Sequence, residues 1–87
     1  MDRMPGEEVM APVRAAALTV PEVRAVESLH ARKVGLGYRV TIHVQADPEM
    51  SLRDAHILSG RVKTAIRAAV PRVDAVLVHM ESFEPDG

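Results

Sequence analysis

The chain has 87 residues, enough for one small domain. With 11 basic and 12 acidic side chains it is near neutrality, so it lacks the basic footprint that nucleic acid requires. Cysteine is absent, which excludes disulfides, thiolate metal sites and thiol redox motifs. The hydrophobic fraction of 47% argues for a globular fold, yet Tyr38 and Phe83 are its only aromatics. The core must therefore come from Val, Ala, Leu, Ile and Met, and a domain of this size is marginal without partner contacts. A homodimer is the natural supplement. No apolar run approaches the roughly 20 residues of a membrane helix. The acidic N-terminus, broken at Pro5-Gly6, does not read as a signal peptide.

Residues 1–8 read as a leader with turn chemistry at Pro5-Gly6. Val9, Val13, Ala16, Ala17 and Val20 then recur at helical spacing. Glu7 and Glu8 suit the positive end of the helix dipole. Pro12 is tolerated only in a first turn, which puts the start of regular helix near Val9 or Met10. Pro21 stops it.

Val23 to Arg32 predicts a first strand, though its alternation is imperfect. Gly35 and Gly37 supply a turn into a second strand, Tyr38 to Ala46, completing a hairpin. After Asp47-Pro48-Glu49-Met50, Ser51 and Asp54 resemble a capping box. They open a helix to about Val70 with a stripe of Leu52, Ala55, Ser59, Val62, Ile66 and Ala69. His56 falls at the edge of that stripe. Pro71 ends the helix, Val73 to Phe83 forms the last strand, and residues 84–87 read as a tail.

The order α-β-β-α-β predicts an α+β sandwich, with a three-stranded sheet and both helices on one face. Alternation leaves Thr41, His43, Gln45, His79 and Glu81 for the other face, which is polar or covered by a partner. An imidazole and a carboxylate two residues apart, with further histidines on a neighbouring strand and a helix, are the nitrogen and oxygen donors a divalent transition metal takes. Each has a plainer reading. His79 and Glu81 fit a solvated edge with a local hydrogen bond, His43 an exposed histidine, and His56 a packing histidine between helix and sheet. Arg32, Arg39, Arg61 and Arg67 read as solvated, or as bridges between protomers. No Ser/His/Asp arrangement has a nucleophile-elbow context, and Gly35-Leu36-Gly37 is a hairpin turn rather than a phosphate loop. An enzyme is not indicated.

Four segments carry a family resemblance: Met1-Asp2-Arg3; Pro21 to Arg32; Val44 to His56, with its Ser51-Leu52 and Ala55-His56; and Val78-His79-Met80-Glu81. Together they resemble the C-terminal cytoplasmic domain of cation diffusion facilitator transporters, over nearly the whole chain. Within the family the chain resembles the magnetosome iron transporters, MamB in particular.

The resemblance implies a metallochaperone-like (ferredoxin-like) fold over residues 9–83 and homodimerisation, or pairing with a paralogous transporter subunit. It also implies attachment to a membrane domain at the cytoplasmic face of a bacterial inner or magnetosome membrane. The implied ligands of a divalent metal (zinc, iron(II) or manganese) are His43, His56, His79 and Glu81. The family's first-strand histidine falls here at Glu27, with His30 three residues on, so the fifth position is a carboxylate. Residues 1–8 would follow the last membrane helix, making the chain a domain excised from a longer transporter. Two other readings stand beside this one: a dimerisation module without physiological metal, and a free-standing small-molecule sensor.

Overall fold

The computed structural model describes residues 6–84; the rest of the expected leader and tail lies outside the described residues. Five elements follow in the order α1 (Glu7–Leu18), β1 (Ala25–Val34), β2 (Gly37–Ala46), α2 (Leu52–Ala69) and β3 (Val73–Ser82). The strands form one sheet in the order β1-β2-β3, with β1 antiparallel and β3 parallel to β2. α1 packs on α2 and β1, and α2 packs on β3, which gives the expected two-layer α+β fold.

α1 begins at Glu7, two or three residues earlier than Pro12 predicts. The Gly6 carbonyl accepts from the amides of Val9 and Met10, so the helix is already closed before Pro12. Pro12 sits in the second turn and leaves one carbonyl without its intrahelical partner. Val9, Val13, Ala16 and Ala17 form the buried stripe.

The bend after α1 is a turn closed by the Val23 amide on the Val20 carbonyl, with Pro21 and Glu22 at its centre. Glu22 has φ 81, the left-handed conformation that position demands, and one that glycine meets without a Cβ penalty. The hairpin turn is tighter than two glycines suggest. Gly35 and Leu36 are its only loop residues, and Gly35 at φ 62 takes the first position of a II′-like turn. Gly37 instead lies buried in β2, where a Cβ would run into the Asp74 carboxylate. Arg72 fastens this end by donating to the Leu36 carbonyl and lying over the Tyr38 ring.

α2 is capped as expected, the Ser51 hydroxyl accepting from the Asp54 amide at 3.0 Å. Its stripe is rotated from the predicted one. Leu58, Val62 and Ile66 are the buried residues, whereas Leu52 is 92% exposed and Ala69 is also exposed. These helical faces meet Val40, Ile42, Val44 and Ala46 of β2, Leu29 and Ala31 of β1, and Val73 and Val76 of β3. No polar or charged residue among those described is buried, so the core is wholly apolar and nearly all aliphatic.

β1 begins at Ala25 rather than Val23 and carries a bulge. Val26 pairs with Val44, but Ser28 pairs with His43, leaving Glu27 as the extra residue. Pairing of two residues against one keeps Val26 and Leu29 on the core side and turns Glu27 outward beside Ser28.

Candidate metal centre on the open sheet face

The face of the sheet turned away from the helices is where the chemistry gathers. β2 sends Arg39, Thr41, His43 and Gln45 there; the parallel register sets His43 beside His79 and Gln45 beside Glu81. The two imidazoles stack, with centroids 4.6 Å apart and planes 24° from parallel. Glu81 reaches diagonally across to His43, and Nδ1 of the ring meets Oε2 of the carboxylate at 2.6 Å. Both side chains are about one-third exposed, at 30% and 32%.

From the opposite side, the bulge in β1 delivers the Glu27 carboxylate. Glu27, His43 and Glu81 each present a donor atom, and the three atoms lie within 4.8 Å of one another. Three adjacent strands thus contribute one ligand-type group each. The Glu81 carboxyl is held below the usual glutamate value. The hydrogen bond from His43 is the largest cause; partial burial opposes it, while the charge of His43, a hydrogen bond with Glu27 and the charge of His79 add to the lowering.

The chemistry of this set fits a divalent cation. Two carboxylates facing one another across an imidazole repel unless a proton or cation lies among them, and nitrogen with oxygen donors suits first-row divalent ions. Without metal, the short His43–Glu81 contact satisfies part of that demand. A cation bound through the same nitrogen and oxygen must replace the proton they share.

Of the five predicted ligands, the structure brings three together. His79 stands one ring outside, stacked on His43 rather than converging with the donor atoms. His56 is exposed on the second turn of α2, which packs on the helix side of the sheet. A single chain therefore does not bring it to the open face. Glu27, the carboxylate that falls where the family has its first-strand histidine, is a full member of the cluster. The imperfect alternation of β1 was the signal, since two outward residues in succession mark a bulge. His30 lies on the same face toward the hairpin, opposite Thr41.

Comparison with known proteins identifies the family and the fold. Residues 5–83 match the family model of the cation efflux protein, cytoplasmic domain. The magnetosome protein MamM of Magnetospirillum gryphiswaldense is 33% identical over 84 residues, 97% of this chain and 26% of that protein. Metal tolerance protein 2 of Oryza sativa subsp. japonica is 26% identical over 77 residues, 88% of this chain and 20% of the relative. The chain thus spans about a quarter or less of these relatives. Among solved structures, a variant MamM C-terminal domain in its cadmium form superposes with a TM-score of 0.86 at 32% identity, covering 90% of this chain and 98% of that one. A nickel form of another variant gives 0.87 at 32% identity, covering 91% and 100%. The magnetosome likeness read from sequence is thus met here through MamM.

Proposed function

The chain belongs to the cation efflux cytoplasmic-domain family, and from that premise we propose that it is the regulatory domain of a divalent-metal transporter. In this reading it pairs with a second copy, or with a paralogous subunit, at the cytoplasmic face of a bacterial inner or magnetosome membrane. Metal on its open sheet face then biases the conformation of an attached cation/proton antiporter. The observation that carries the reading is the convergence of Glu27, His43 and Glu81 from three strands.

These three side chains would hold the ion, which supplies a cross-link that proton-bearing ligands do not. They stand on a rigid sheet, so their positions are fixed by the same pairing that builds the core. His79 and His56 are the groups a second protomer could add, because His79 borders the cluster and His56 is exposed. Metal shared between protomers stabilises the state in which they are close, by its differential affinity for that state. The MamM cadmium and nickel forms support a divalent ion as the ligand class. Zinc, iron(II) and manganese remain the physiological candidates, since nitrogen and oxygen donors accommodate all of them.

Small-angle scattering and sedimentation with and without zinc, manganese or iron(II) test this reading. The expected result is a dimer that becomes more compact with metal, an effect lost in His43→Ala. A dimer of unchanged dimensions at saturating metal would leave a structural pairing module; a monomer throughout would favour the free-standing sensor.

A further inference from the structure

The hairpin-proximal half of the open face carries a second feature, separate from the metal cluster. Arg32 and Arg39 are direct cross-strand partners in the β1–β2 register, and both are exposed. Like charges directly opposite one another on a sheet destabilise it. Among the described residues, neither guanidinium has a carboxylate within salt-bridge distance or a recorded hydrogen bond. Three other arginines are engaged: Arg24 with Asp47, Arg67 with the Asp74 carbonyl, and Arg72 with the Leu36 carbonyl and the Tyr38 ring. Arg14, Arg53 and Arg61 also have no such partner, but they lie apart on the helices, whereas Arg32 and Arg39 together line a concavity of about 470 Å³ with His30, Thr41, Ala75 and Leu77. That volume is in the range of small-ligand sites. Arg39 and His43 are four residues apart on β2, roughly 13 Å along the strand, while Thr41 and Leu77 lie between the two arginines and the metal cluster.

We propose that this concavity binds a phosphate group. A phosphate monoester carries close to two negative charges at neutral pH, which matches two guanidiniums where a single carboxylate does not. The planar forks of Arg32 and Arg39 donate to its oxygens, with the His30 ring and the Thr41 hydroxyl as further donors at the rim. Leu77, 55% exposed, and Ala75 offer an apolar wall to whatever bears the phosphate. The proposal is independent of metal binding, because it uses none of the three clustered ligands.

The test is titration of the whole chain at low ionic strength with pyrophosphate and glycerol phosphate, followed by amide chemical shifts. Parallel arms use succinate and vesicles containing phosphatidic acid. Saturable shifts confined to residues 30–32, 39–41 and 75–77 are expected. Affinity should fall about tenfold or more in Arg32→Gln and in Arg39→Gln, as for a lost charged hydrogen bond, with zinc titration unchanged. Binding of vesicles but not of the soluble probes, lost in the same variants, would support the phosphate chemistry and place it on a lipid headgroup. Absence of saturable binding in every arm overturns the proposal, as does unaltered affinity in the double variant. Equal affinity for succinate overturns it in favour of a carboxylate. Dissociation of a dimer by Arg39→Gln without anion binding overturns it too, and assigns the arginines to the second copy. Removing one of two like charges should leave the melting temperature level or higher, which separates loss of binding from loss of fold.

Discussion

The same three strands present two faces made by opposite rules. Toward the helices, Val40, Ile42, Val44 and Ala46 alternate with Leu29, Ala31, Val73 and Val76 in a layer without one polar side chain. On the open side the intervening residues are Arg39, Thr41, His43 and Gln45, joined by His79, Glu81 and the bulged Glu27. The helix-side layer holds the fold through burial, which is insensitive to pH and metal. The open layer is held by charge and hydrogen bonding, so its energetics follow protons and ions. Stability and function can therefore be altered separately, and substitutions on each face should prove it.

The largest effect is expected on the buried side. Ile42 is fully buried at the centre of the middle strand, and Ile42→Ala should cost about 2–5 kcal/mol in denaturant unfolding. Any protein that remains folded should keep its metal affinity. Next comes metal itself: at a hundred times its dissociation constant it should add about 2.7 kcal/mol. In a domain of this size that is a rise of about 10 °C or more in melting temperature. Glu81→Gln should remove most of that rise, and above the glutamate range it should also lower the metal-free melting temperature modestly, because the ionised carboxylate stabilises the fold there. A rise that persists in Glu81→Gln would erase the division between the faces.

Acid sharpens the comparison further. Glu81 titrates below the ordinary glutamate value in the folded chain, so the unfolded chain binds its proton first as pH falls. Its contribution to stability is complete above the ordinary glutamate range and fades as pH drops through the lowered folded value. Metal affinity should weaken earlier in the same descent, because protons compete with the ion for the imidazole nitrogen as well as for the carboxylates. Melting curves across pH, with and without zinc, should show these two losses as separate steps. Ser51→Ala should cost about 1 kcal/mol through the lost cap, with no change in metal affinity. The smallest change is a gain: Glu22→Gly should stabilise by about 0.5–1 kcal/mol, the left-handed penalty less the flexibility that glycine adds to the unfolded chain.

Much of this was legible in the chain. Period-two alternation in Tyr38–Ala46 and helical spacing after Ser51 fixed the element order and the outward position of His43. The family resemblance supplied the metal. What escaped depended on long-range geometry. α2 turned its stripe so that Leu58 is buried and Leu52 is exposed, because the helix faces wherever the sheet lies. Glu27 was named by the resemblance, but the bulge that delivers it is set by pairing with β2 and was not foreseen. His56 looked like a ligand because the motif carries it, yet its helix packs on the other side of the sheet. Motif spacing reports what a family's assembled site uses; a single chain's topology decides which of those groups meet.

Calorimetric titration of zinc into the wild-type chain and into Glu27→Gln, His43→Ala and Glu81→Gln is the most direct test of the cluster. Saturable binding in the wild type, accompanied by proton release and weakened about tenfold or more by each substitution, is the predicted result. Binding of equal strength in all four proteins, or none in the wild type, would contradict it.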